Sequence, residues 1–141
     1  MKTNIKVSGR IRVTNALGVI VAQENLVVDS GLDWIASRLS GAGTNATHIG
    51  IGTGAVAADA GDTSLGGQLL RKAVTVSGGT VVDNTVTFAT TFAAGEATGA
   101  LTEVGLFTAA SAGTMIARSV FNVYNKAAGD LLNVEWTFTV A

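Results

Sequence analysis

The chain has 141 residues, 48% of them hydrophobic and only 13% charged, with 9 Lys and Arg against 10 Asp and Glu. That length fits one domain, 1–141, and a charged content this far below the roughly 25% of average soluble domains implies that much of the surface faces neighbours. A formal net charge of −1 with scattered basic residues argues against a nucleic-acid partner, and the lack of cysteine excludes disulfides and thiolate metal sites.

No apolar run approaches the roughly 18–20 residues that span a bilayer. Met1-Lys2-Thr3-Asn4 leads into a strand rather than a signal segment, so neither membrane insertion nor secretion is expected. Ile5, Val7, Ile11 and Val13 alternate with Lys6, Ser8, Arg10 and Arg12, the period-two pattern of a half-buried strand, with Gly9 on the apolar side marking a bulge. Asn15-Ala16-Leu17-Gly18 supplies a turn, and 19–28 reads as the returning strand. Ser30-Gly31-Leu32-Asp33 has the spacing of a helix N-cap, and Leu32, Ile35, Ala36 and Leu39 follow as an apolar stripe with Trp34 on its flank.

Beyond loop 41–45, 48–53 reads as a short strand. Residues 54–67 are small apart from Val56, Asp59, Asp62 and Leu65, and show no period; a loop of this length is expected to be functional, here as a subunit-contact arm that is mobile in the isolated subunit. Strands are predicted at 69–77, 82–92, 101–108, 115–124 and 132–140, the last placing Leu132, Val134, Trp136, Phe138 and Val140 on one face. About eight strands without alternating helices predict a mainly β fold, an antiparallel β-sandwich or jelly-roll-like barrel with one short α-helix.

Candidate chemistry is sparse. Gly50-Ile51-Gly52-Thr53-Gly54 lacks the following helix and the Gly-Lys-Ser/Thr ending of phosphate loops, so its glycines are read as allowing tight packing or a kinked strand exit. His48, the only histidine, has no nucleophile-elbow motif or carboxylate cluster to work with and reads as a strand-edge residue. Asn45-Ala46-Thr47 matches a glycosylation sequon by chance. No catalytic residue, cofactor or metal ligand is expected. By alternation Glu103 shares a face with Leu101 and Phe107, and a buried acid requires a partner, for which Arg71, Arg118 and Lys126 are available.

Taken in order, Asp29-Ser30-Gly31-Leu32, His48-Ile49-Gly50-Ile51-Gly52-Thr53-Gly54, the stretch from Leu65 to Arg71, Glu103-Val104-Gly105-Leu106-Phe107, Met115-Ile116-Ala117-Arg118 and a closing strand that starts from Lys126 resemble the small tail-collar or tail-fibre type domain of bacteriophage virion proteins, over residues 25–141. The resemblance implies a non-enzymatic structural subunit of the tail, collar, baseplate or fibre-attachment region, assembled in the host cytoplasm into the phage particle. It further implies a homo-oligomer, a trimer in the fibre-type arrangement, with other virion proteins as partners. A glutamate and two arginines recur in the matching stretches, which implies a structural pair of Glu103 with Arg71 or Arg118. The repetitive shaft of a complete fibre is missing, so a capsid decoration or cement protein is the alternative. A second alternative is a module that binds a host-surface receptor such as glycan, for which Trp34 and Tyr124 are the aromatic candidates.

Overall fold

The computed structural model describes residues 4–141; Met1, Lys2 and Thr3, part of the expected lead-in to the first strand, lie outside the described residues. In chain order the elements are β1 (Val7–Asn15), β2 (Gly18–Glu24), β3 (Leu26–Val27), α1 (Asp29–Leu39), β4 (His48–Gly52), β5 (Gln68–Ala73), β6 (Thr80–Val82), β7 (Thr85–Phe92), β8 (Gly99–Phe107), β9 (Met115–Lys126) and β10 (Leu132–Val140). They form two antiparallel five-stranded sheets, ordered β2-β1-β10-β7-β6 and β3-β9-β8-β4-β5, and the sheets face each other as a sandwich.

Among the described residues, ten strands replace the expected eight or so for two local reasons. At Asn25 the chain leaves the first sheet for the second, which divides the strand expected over 19–28 into β2 and β3. Asp83, at φ 51°, turns the chain inside the strand expected over 82–92, so that β6 folds back on β7. Gly9 is not a bulge, because it sits in unbroken register opposite Phe138. A Cβ there would meet the Asn25 side chain 2.0 Å away, so the glycine makes room at the crossover.

The first sheet behaves as alternation predicts. Ile11, Val13, Phe88, Phe92, Leu132, Val134, Trp136 and Phe138 point into the core, where the Trp136 and Phe138 rings stack and Phe88 meets Phe138 edge-on. Val140 is the exception in the closing strand, 46% exposed at the open end of the sheet.

In the second sheet, β4, residues 101–107 of β8 and residues 115–121 of β9 are buried on both faces. This explains their nearly continuous apolar runs, since a strand covered on both sides has no wet face to mark with polar residues. One face meets the sandwich core; the other is roofed by loop 53–67 and by the start of α1, over a small second core of Val28, Leu65, Phe107 and Met115.

The roof also accounts for the helix. Gly31 packs so closely on β9 that a Cβ would lie 1.9 Å from the Ile116 carbonyl oxygen. Contact is therefore centred on Gly31, Trp34 and Ile35, shifted toward the position before the expected stripe, and Leu32 and Leu39 are 54% and 86% exposed. Ser30 is not the N-cap. Val28 is, with no side-chain cap, because the Asp29 amide donates to the Ala60 carbonyl of the loop at 2.8 Å, and the Ser30 hydroxyl donates to the Met115 carbonyl at 2.7 Å.

Candidate functional site: a buried carboxylate knot

Strand β4 carries glycine at alternate positions, so Gly50 and Gly52, followed by Gly54, leave one side of the strand without side chains. Gly105 of β8 lies opposite Gly50 and widens this lane. Loop 53–67 returns along it. A Cβ on Gly52 would come within 2.4 Å of the Gly67 carbonyl oxygen, and one on Gly105 within 3.0 Å of Leu65. Tight packing is thus the role of the Gly-Ile-Gly-Thr-Gly segment, and Leu65 is the side chain that fills the lane.

Glu103 enters the lane from β8. Register slips between Leu101 and Glu103, which puts Leu101 in the sandwich core with Val104 and Leu106, while Glu103 faces the roof. The expected shared face with Leu101 is therefore broken by a bulge. Glu103 is fully buried. Its Oε1 accepts the amides of Gly54 at 2.9 Å and Gly67 at 2.7 Å. Its Oε2 accepts the Gly66 amide at 3.0 Å together with Arg118 Nε at 3.0 Å and Nη2 at 2.8 Å. Burial pushes the carboxyl pKa up, but the Gly66 and Gly67 amides, Arg118 and the Gly54 amide outweigh it and hold the group below the usual glutamate value.

Arg118 is buried as well. Its Nη1 donates to Asp62 Oδ2 at 2.8 Å, so one guanidinium joins strand β9, strand β8 and the loop. Burial pulls its pKa down, but bonding to Glu103 and Asp62 raises it overall. Asp62 is held low first by the bond from the Asp59 amide, against a smaller opposing effect of burial, and then by Arg118.

Of the residues expected to form an assembly arm, Asp62 and Leu65 are turned inward, and Val56 and Asp59 are exposed. Asp59 accepts the Gly61 amide at 2.9 Å and its own amide donates to Asp62 at 2.9 Å. Asp62 binds Arg118 and Leu65 is buried, while Val56 is 81% exposed. The Thr53 amide to the Gly67 carbonyl at 2.9 Å and the Thr102 hydroxyl to the Gly54 carbonyl at 2.8 Å close the loop's two ends. Its backbone is therefore anchored at both ends, while Ala55, Val56, Ala57, Asp59 and Ala60 between them are exposed.

Arg71 takes no part in the Glu103 pair. Register places it opposite Gly50 on β5, two strand spacings of about 4.8 Å each from β8, with Leu65 in the lane between. Its guanidinium lies 3.5 Å over the Phe107 ring and donates to Gln68 Oε1 and to the Ala109 and Ala112 carbonyls. Lys126 is buried elsewhere and donates to the Ala93 carbonyl at 3.1 Å. The His48 ring sits 2.8 Å from the Thr47 hydroxyl, and its pKa is lowered by burial and then by Arg71.

Alternation alone misses Gly54, Gly66 and Gly67 as donors. The signal available was the run of alternate glycines at 50, 52 and 54, paired with a lone acid on a neighbouring apolar strand. Chemically, the knot offers neither an exposed nucleophile nor a free lone pair, since five donors surround the two oxygens of Glu103. Among the described residues no group of three or more His, Asp or Glu side chains could hold a metal ion, and no helix is long and apolar enough to cross a membrane. An apolar cleft lies between α1 and the open end of the first sheet, lined by Trp34, Ile35, Val86, Phe138 and Val140; the Trp34 indole N–H at its rim donates to the Thr44 carbonyl. Tyr124 is tied to Asn15 and Asp130 through its hydroxyl. Comparison with protein-family models, with characterised proteins and with solved structures returns no match for the chain.

Proposed function

We propose that the chain is a non-enzymatic structural subunit of a tailed-bacteriophage virion, placed in the tail, collar, baseplate or fibre-attachment region and held there by copies of itself and by other virion proteins. The observation that carries this reading is the knot. Three of the stretches that resemble the phage domain, the glycine-rich strand, the strand of Glu103 and the strand of Arg118, meet at one fully buried carboxylate, together with the loop leading to Leu65. The recurring residues therefore support a device that holds backbone together, and such a device suits a building block better than a catalyst. The low charge density adds to this, because a surface with few charges is suited to lying against neighbours.

Cryo-electron microscopy of purified particles with the tagged chain tests the reading. Density at the tail, collar or baseplate is the expected result, density on the outer shell would favour a decoration protein, and absence from particles would overturn the virion assignment. The two rings available for stacking on sugar, Trp34 and Tyr124, are both engaged within the fold, so glycan recognition is the weaker reading.

A further inference from the structure

Four strands end the two sheets, β2 and β6 in one and β3 and β5 in the other. A sheet edge presents backbone donors and acceptors without a strand partner, and proteins blunt it with shortness, charge or distortion. Strand β3 has two residues and β6 three, while β5 carries Arg71 and Lys72. Strand β2 differs. It has seven residues, of which only the last, Glu24, is charged, and the run before it, Ala16-Leu17-Gly18-Val19-Ile20-Val21-Ala22-Gln23, is uncharged and proline-free. Among the described residues it pairs with β1 alone. Its one irregularity leaves Ile20 without a partner on β1, and the register from Val21 to Glu24 is regular.

We propose that β2 is a self-association edge, on which β2 of a second copy adds antiparallel about a twofold axis through Ala22 and joins the two first sheets into one. A second copy is the occupant for three reasons. An antiparallel edge is complementary to itself under a twofold, so the same residues serve on both sides. A formal net charge of −1 sets up little repulsion between copies. Finally, a twofold at Ala22 keeps the faces matched: Ala22, opposite Arg12 on the outward face and exposed, meets itself, while Val21 meets Gln23, both on the inward side. Pairing through one short edge makes a small interface, with a dissociation constant on the order of micromolar. Its contacts are backbone and uncharged side chains except at the two ends, where Glu24 of each copy falls opposite Ile20 of the other; no opposite charges pair across it, so it should change little between about 0.1 and 1 M salt.

Sedimentation equilibrium from about 1 to 200 μM tests this. The wild type is expected to show a monomer–dimer equilibrium. Ala22→Lys and Ala22→Glu each set like charges directly opposite one another and should weaken association by about tenfold or more, and an equimolar mixture of the two should restore it. Val82→Lys on the β6 edge should leave it unchanged. A monomeric wild type over the whole range overturns the proposal. So does unaltered association of the Ala22 variants, equal weakening by Val82→Lys, or failure of the mixture to recover when both variants melt like the wild type. If an Ala22 variant does not fold, amide exchange on the wild type decides: β2 protection that rises with protein concentration supports the edge, and concentration-independent exchange overturns it. The inference deepens the assembly reading, and the two fail separately. A chain that dimerises through β2 but is missing from particles overturns the virion assignment alone, whereas a particle component that stays monomeric in solution overturns the edge alone.

Discussion

Replacing Glu103 by Gln keeps the side chain's shape and removes its charge and one acceptor. Whichever way the new amide is turned, its NH2 faces donors. At the Oε1 position it opposes the Gly54 and Gly67 amides, and at the Oε2 position it opposes the Gly66 amide and two nitrogens of Arg118. The cheaper orientation keeps Arg118 bonded and loses two charge-assisted bonds, each worth about 1.5–3 kcal/mol. Breaking a buried pair by removing one partner costs about 3–5 kcal/mol, so the two routes to the figure agree, and the loss is a large part of the roughly 5–15 kcal/mol that holds a domain folded.

Urea unfolding should show a lower midpoint with an unchanged slope. The pH dependence follows from the sign of the shift. The folded-state pKa of Glu103 is depressed, so its contribution is fully present above the unfolded value of about 4.3 and is lost as pH falls through the folded value. The gap between wild type and Glu103→Gln should therefore be constant near neutrality and close below about pH 4. A loss under about 1 kcal/mol at pH 7, or a gap that widens with acid, would refute the knot as a source of stability.

Gly31→Ala, which in an exposed helix would stabilise by up to about 1 kcal/mol, should instead cost about 2–3 kcal/mol because the new Cβ meets backbone of β9; a neutral or stabilised variant in urea titration would show that the helix is not seated at that distance. Trp136→Ala should cost about 3–5 kcal/mol, since the ring is wholly buried, and a folded variant that loses under about 1 kcal/mol would place the ring elsewhere. Arg71→Lys should cost about 1 kcal/mol in the same assay, because an ammonium can neither lie flat on Phe107 nor fork to Gln68 and the Ala112 carbonyl at once; wild-type stability would argue that the stacking contributes nothing.

Much of the fold could be read from residue spacing, and the failures share one origin. Strand β10 reads correctly from Leu132 to Phe138 because one of its faces is dry and the other is not. The faces of β4, of 101–107 in β8 and of 115–121 in β9 do not read this way, since a roof on the second face removes the polar half of the pattern. The bulge at Glu103 is silent for the same reason: once both faces are buried, a one-residue slip leaves the apolar run looking unchanged. The helix stripe was displaced by one residue because Gly31, which counts for little on any hydrophobicity scale, is the point of closest approach.

The loop shows the converse. Residues 54–67 have little apolar area of their own, and from composition that predicts mobility. Yet the absence of side chains is what lets the backbone lie in the lane between Gly52 and Gly105, close enough for its amides to reach one carboxylate. The anchoring force is then a charged acceptor buried among donors. The two ends of a segment rich in glycine and alanine are thus tied down where an acid waits beneath them, and here Glu103 does, with Arg118 carrying the tie onward to Asp62.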